Sequence, residues 1–355
     1  MHRLDIVFVG PVGNTHIAGS LHRAALAEGL ASEAMDTSPA YAGPRLVRAL
    51  LWRAGGRRPV HLKAFSSNVV EMAAARRPRL LVTLGHAPLM AGDVRALRIL
   101  GIRCLNFSTD DPFNSAHHAP WHVESLKEHD VVFTPRRANI EELGSLPCRE
   151  VSYLPFAYDT ALFARPSGTF RSNESSHEGG MQAGGGTGGT VGCDTVLFVG
   201  GADADRAVFF QQFNRAGIRP VLVGGYWERH RNVVADRRGT MSSGTISRMT
   251  AAAAVNLCLI RRANRDGHVM RSFEIPAVGG FMLAEATAEH RALFGEEGRT
   301  VLYFATPEEA AEKCRWALVH SAERQRMAAA AYVLVTGGGN TYRHRLQEML
   351  KIAAT

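Results

Sequence analysis

The chain has 355 residues, 46% of them hydrophobic, with a formal net charge of +8 and a pI near 9.6. That is enough apolar material for two packed domains and argues against disorder. The positive balance favours anionic partners (a nucleotide, a phosphorylated acceptor, a nucleic acid or a membrane surface) without choosing among them, and the basic residues, scattered in pairs such as Arg57-Arg58, Arg76-Arg77 and Arg136-Arg137, read most simply as solvated surface.

Five cysteines stand far apart, at Cys104, Cys148, Cys193, Cys258 and Cys314, without metal-ligand spacing. The pattern fits a reducing compartment. Leu4 to Gly10 is too short for a signal peptide, and no apolar run reaches the roughly 20 residues of a membrane helix. The expected location is cytoplasmic, with at most peripheral contact at the inner face of a membrane. Nucleic-acid binding is not expected, because no recognition motif or interleaved aromatic-basic stripe is present.

Taken in order, Leu4 to Gly10 (LDIVFVG) reads as a buried parallel strand, followed by a glycine turn through Gly13 and a helix to about Leu30. The turn lacks both G-x-G-x-x-G and the Walker A lysine, so Gly13 is expected to let a substrate approach rather than to hold a cofactor. Leu80–Gly85, Ile102–Phe107 and Val131–Pro135 read as further strands, with helices near 65–77, 88–100, 119–129 and 136–146. Such alternation implies a parallel sheet whose ligands bind beyond the C-terminal strand ends. His86, Asp110 and Asp111 fall there, each able to face an acceptor hydroxyl or simply to cap a turn. Residues 167–192 are Gly/Ser-rich and read as a flexible linker or insertion; their GGGTGG follows no strand and is low complexity.

A second alternating series follows: strands at Asp194–Gly201, Arg219–Gly225, Val255–Ile260 and Val301–Ala305, with helices at Ala204–Ala216 and Ile246–Ala253. A long helical stretch runs from Pro307 to about Val335, and a last helix spans Thr341–Ile352. Within this half, Arg262 to Glu285 reads as a loop turning at Asp266-Gly267, a helix over Val269–Ala277, a stop at Gly279-Gly280 and the short strand Phe281–Leu283. Asp266 and Glu274 are eight residues apart, one in the loop and one on the helix, so both carboxylates can border one cleft. The helix N-terminus between them offers N–H groups suited to phosphate.

R-x-F-E-I-P-A-x-G-G-F-x-L-x-E at Arg271–Glu285 resembles the C-terminal signature of CgeB-type (spore-maturation) glycosyltransferases, within the group 1 glycosyltransferases of GT-B fold. Phe107–Phe113, Leu154-Pro155-Phe156-Ala157, Val196–Gly200 with Arg206, and Asn340-Thr341-Tyr342 with Arg345 resemble further family segments, Asn340 standing where the family has His. The resemblance covers the chain from about residue 100. It implies two Rossmann-like domains with parallel sheets facing across a cleft: an N-terminal acceptor domain (1–158), the linker (159–192), a C-terminal donor domain (193–340) and a last helix (341–355) that crosses back. It implies transfer of a sugar from a UDP-, GDP- or similar nucleotide sugar to a hydroxyl, with retention. The family's Glu-x7-Glu motif falls on Asp266 and Glu274, with Asp at the first position; Glu274 matches the ribose-holding carboxylate and Asp266 the one against the donor sugar. Arg206, Gly200, Gly201, Gly267 and Arg271 are then the expected diphosphate side. No metal, cofactor or dedicated base is required on this reading, though His86 and Asp111 are candidates for a base. An epimerase or hydrolase on the same fold, and a non-catalytic nucleotide-sugar-binding subunit, are the alternatives.

Overall fold

The computed structural model of the chain describes residues 4–13, 15–165, 192 and 194–354. The chain forms two compact units: Met1–Asp159, Ile260–Met270 and Gly339–Thr355 make the first, Thr160–Leu259 and Arg271–Gly338 the second. Apart from Gly192 and the 159–165 segment, the expected linker lies outside the described residues.

In the first unit, β1 (Ile6–Val9), β2 (Ser32–Met35), β3 (Leu80–Leu84), β4 (Arg103–Phe107), β5 (Val131–Thr134) and β6 (Glu150–Tyr153) form an all-parallel sheet of order β2-β1-β3-β4-β5-β6. The inner strands β1, β3 and β5 are mostly apolar because helices cover both faces. Six helices fall between them: α1 (Ile17–Ala27), α2 (Arg45–Arg53), α3 (Leu62–Arg76), α4 (Ala91–Ile99), α5 (Pro120–Leu126) and α6 (Ile140–Gly144). The strand order reverses direction between β1 and β3, which puts the loops after those strands at the place where open α/β sheets take ligands.

The second unit carries β7 (Val196–Val199), β8 (Val221–Val223), β9 (Asp236–Arg237), β10 (Val255–Cys258), β11 (Met282–Glu285) and β12 (Leu302–Phe304). They too are parallel, in the order β12-β11-β10-β7-β8-β9. This is the dinucleotide-binding-fold order, and its reversal lies between β7 and β10. Its helices are α7 (Ala204–Arg215), α8 (Ser243–Ala252), α9 (Arg271–Ala277), α10 (Ala288–Phe294), α11 (Pro307–Val319) and α12 (Ser321–Gly337). Phe198, Phe210, Phe213 and Trp227 anchor one continuous core beneath this sheet.

The last helix, α13 (Tyr342–Ala354), belongs to the first unit and packs on α1. Its entry is fixed by the backbone: Tyr158 N–H donates to the Asn340 carbonyl and Tyr342 N–H to the Tyr158 carbonyl, both at 3.1 Å. Buried Arg345 then donates to the Pro155 and Phe156 carbonyls at 2.8 and 3.1 Å and to Asn340 Oδ1 at 3.3 Å. Arg345 is thus a clamp on Leu154–Ala157, and Asn340 supplies an acceptor where the family pattern has His.

The structure differs from the sequence reading in three places. The helix expected over Val269–Ala277 starts only at Arg271, and Val269 and Met270 group with the first unit. The stretch Pro307–Val335 breaks at His320, whose backbone is non-helical and whose ring stacks on Trp316 at 4.5 Å. Ile260–Met270, read as part of the donor domain, groups with the first unit, where Asp266 and Arg265 find partners.

Candidate functional site

In the second unit the site begins at the end of β7. Gly200 N–H donates to the Val223 carbonyl at 2.8 Å, extending the sheet pairing, and the Gly200 carbonyl accepts from Trp227 Nε1 at 2.9 Å. A Cβ on Gly224, held at φ +141, would stand 2.4 Å from the Gly200 carbonyl oxygen, so the β7 and β8 turns approach closely only because Gly224 has no side chain. Asp203 caps α7 by accepting from Arg206 N–H at 2.9 Å. Arg206 Nη1 donates to the Gly201 carbonyl at 3.0 Å, with its guanidinium 5.3 Å from the centre of the Phe198 ring. The Gly200 N–H is thus engaged within the sheet, at the point where the two turns meet.

β10 is the neighbour of β7, and α9 follows it in the chain. Glu274, only 3% exposed, forms an ion pair with Arg271 one turn earlier, and the Arg271 guanidinium also faces the Phe163 ring at 5.6 Å. The spacing of three residues puts the two side chains on one helix face. Pro276 sits inside α9 and the helix ends at once: Gly279, at φ +79, donates to the Pro276 carbonyl, and Gly280 donates to the Ile275 carbonyl. A Cβ on Gly280 would meet Asn256 Nδ2 and the Thr250 carbonyl, both at 2.9 Å. Behind the helix, buried Ser272 and His290 share a hydrogen bond at 2.8 Å, and burial pushes the neighbouring Cys258 thiol up to about 12. That network is sealed and structural.

The first unit gathers a second polar cluster at the C-terminal ends of β3, β4 and β5. Arg136, just past β5 and 1% exposed, donates from Nε to Asp266 Oδ1 at 2.6 Å and from its other nitrogens to the Ser108 and Thr109 carbonyls. Burial pushes the Asp266 carboxyl up, opposed by the charge and hydrogen bond of Arg136, while the Asp110 charge adds to the rise. His86 Nδ1 lies 3.8 Å from Asp110 Oδ2, and Asn264 Nδ2 lies 3.5 Å from Asp110 Oδ1. Burial works against the charged form of Asp110, yet the neighbouring His86, His117 and Arg136 hold its carboxyl well below the usual range. Gly85, at φ +52, is the close approach here: a Cβ would stand 2.7 Å from Thr109 Oγ1.

Asp111 is a different case. Fully buried, it accepts at Oδ1 from Phe113 N–H, Asn114 N–H and Asn139 Nδ2, and at both oxygens from Arg265. It caps the D-P-F turn and ties it to the 260–270 segment, and of the two aspartates only Asp110, about a third accessible, reaches solvent. Gly13 is exposed and takes a turn bond from His16; the glycine that the β1 loop demands is Gly19, whose Cβ would stand 2.7 Å from the Val12 carbonyl oxygen.

Asp266 belongs to the first unit and Glu274 to the second. Sequence reasoning placed His86 here but missed Arg136, Arg265, Asn264 and two further histidines near Asp110, His117 and His122. His122 is buried, its ring centre lies 4.3 Å from that of His86 with the planes tilted by 44°, and neither ring nitrogen has a hydrogen-bond partner among the described residues. Position was the available signal for Arg136: it stands just beyond a buried parallel strand, where ligands and their partners gather.

His129 gives this unit a pH dependence. Its Nδ1 lies 2.8 Å from the Ser125 carbonyl, its Nε2 lies 3.1 Å from Thr83 Oγ1, and burial pushes its pKa down to about 4. The unfolded chain takes up that proton near pH 6.5, whereas the folded one resists it to about 4. The stabilisation is complete above pH 6.5 and falls by about 3 kcal/mol as the pH drops through that window. Carboxylates held low, such as Asp110, lose theirs only at lower pH. Urea midpoints across this range should fall more steeply in the native chain than in His129→Gln; equal slopes would refute the assignment.

Residues 206–351 match a family model described as Glycosyl transferase-like. No curated protein matches the chain by sequence. Among solved structures the chain is similar to Anabaena HepE in complex with UDP-glucose, at 11% identity and a TM-score of 0.65, covering 99% of this chain and 100% of that one. It is similar to the sucrose-phosphate synthase of Thermosynechococcus elongatus at 13% identity and a TM-score of 0.68, covering 99% and 98%. It is also similar to the α,α-trehalose 6-phosphate synthase of Burkholderia multivorans at 12% identity and a TM-score of 0.64, covering 100% and 98%. At such identities the likeness speaks to fold: two parallel α/β sheets of GT-B type across the chain.

Proposed function

We propose that the chain is a glycosyltransferase that moves a sugar from a nucleoside-diphosphate sugar to a hydroxyl acceptor, with retention of configuration. The observation that carries this reading is Glu274, a buried carboxylate paired to Arg271 on the helix after β10, at the strand-order reversal and inside the segment matched as glycosyl transferase-like. A ribose diol needs an acceptor for two hydroxyls, and an ionised carboxylate is one. A diphosphate leaving group needs fixed positive charge. Arg206, in the first turn of α7, and Arg271, whose guanidinium has more donors than the Glu274 bond uses, are the groups proposed to supply it. UDP-glucose bound to the Anabaena protein of similar fold makes a uridine nucleotide the first donor to test.

The proposed role of Asp266 against the donor sugar rests on its motif spacing to Glu274. Asp110, an ionised carboxylate beside His86, is the group assigned to the acceptor. On a retaining course the departing phosphate oxygen takes the acceptor proton, so neither metal nor dedicated base is assigned. A thermal-shift screen with UDP, GDP, ADP and dTDP, with and without magnesium, tests the donor site. At a hundredfold excess over Kd, one diphosphate should stabilise the chain by about 2.7 kcal/mol. The shift should vanish in Glu274→Ala. A shift that survives the substitution moves the donor site elsewhere.

A further inference from the structure

The β2–β3 connection holds a surface that glycosyl transfer does not explain. Between Asp36 and Glu71 the chain has no acidic residue, yet it carries Arg45, Arg48, Arg53, Arg57, Arg58 and Lys63. Its centre is α2, RLVRALLWR, of which no residue is buried. Leu46 is 84% exposed, Leu50 65% and Trp52 53%. A surface helix ordinarily turns its apolar stripe to the core. At about 100° per residue, Leu46, Val47, Leu50 and Leu51 share one arc of α2, with Arg53 on one flank and Arg48 on the other. The stripe therefore faces outward, edged by cations.

The helix is held in this position. His61 N–H donates to the Ala40 carbonyl at 2.9 Å, closing the base of the excursion. Arg57 donates to the Ser115 and His118 carbonyls at 2.6 and 3.2 Å, and its own carbonyl accepts from Trp121 Nε1 at 3.3 Å. Arg57 also lies over Trp52, with 5.5 Å to the ring centre.

We propose that α2 is an in-plane docking helix for an anionic lipid bilayer: Leu46, Val47 and Leu50 enter the acyl boundary while Arg45, Arg48, Arg53 and Arg58 meet lipid phosphates. The combination selects the partner. An amphipathic helix with low mean hydropathy, arginines on its polar face and leucines on the other suits the membrane interface. Long arginine side chains flanking an apolar stripe can lie along it and keep their charge at the headgroups. A nucleic acid would use the arginines and leave the leucines in water, and a second copy would bring like charges together. Among the described residues no helix is long and apolar enough to cross a membrane, so the contact is peripheral.

This inference does not depend on the proposed activity, and its test uses no sugar donor. The full chain is floated with vesicles of phosphatidylcholine alone and with vesicles containing about 30% phosphatidylglycerol. Binding is expected to the anionic vesicles and to weaken sharply in about 1 M salt. Leu46→Ser/Leu50→Ser and Arg45→Gln/Arg48→Gln should each weaken it by on the order of tenfold or more, with unchanged melting temperatures because α2 buries nothing. Failure to bind anionic vesicles, or binding that survives the leucine substitutions, overturns the proposal. So would a dimer that the leucine substitutions dissociate, or duplex DNA binding lost only with the arginines.

Discussion

Glu274→Ala should lower the rate of sugar transfer by on the order of a thousandfold. Two losses combine. The charge-assisted hydrogen bonds to the ribose amount to about 1.5–3 kcal/mol, and a donor that sits about 1 Å out of place costs about a hundredfold more. The fold should survive, since Arg271 keeps partial access to water and can be solvated once its partner is gone. Glu274→Gln is the sharper variant: it keeps the volume of a side chain 3% exposed and removes only the charge. Rates for both, measured with the donor identified by thermal shift, should fall with little change in melting temperature. Arg271→Met should raise KM for donor more than it lowers kcat if it serves diphosphate binding. Transfer within a few-fold of the native chain in Glu274→Ala would end the assignment.

How much of this site could be read in the sequence depended on whether the signal was local. Arg271 and Glu274 were legible because three-residue spacing on any helix makes them neighbours, and Gly279-Gly280 because a left-handed cap after a short helix calls for glycine. The inner strands were legible as mostly apolar runs. The edge strands β2 (SEAM), β6 (EVSY) and β9 (two residues) were not, since each is only partly buried and carries charge. Arg136 was read with Arg137 as solvated surface, yet one is buried on Asp266 and the other lies over Tyr153. Nothing in the dipeptide separates them; the strand end does. Asp110 and Asp111 looked equivalent until the turn bonds showed Asp111 occupied by five donors. The outward stripe of α2 was present in the sequence but unread, because apolar spacing is taken as a sign of core and only the structure shows that no core meets it.

Breaking the Arg136–Asp266 pair should give the largest stability effect outside the hydrophobic cores. Arg136→Met removes the partner of a buried carboxylate and leaves the Ser108 and Thr109 carbonyls without their donor, so a loss of about 3–5 kcal/mol is expected. Arg136→Lys should recover little, because an ammonium cannot span three acceptors in one plane. Asp266→Asn should cost less: it removes a charge that burial already disfavours and keeps an acceptor for Arg136 Nε. Part of the Arg136→Met penalty is the uncompensated Asp266 charge, so the double variant should be more stable than the two single losses predict. Urea unfolding of the four proteins, read on a probe in the first unit, measures that coupling; strict additivity would show that the pair contributes nothing as a pair. Asp266→Asn also separates two roles for one residue. If Asp266 only neutralises Arg136, the variant transfers sugar nearly as well as the native chain. If its charge faces the donor sugar, transfer collapses in a protein that remains folded.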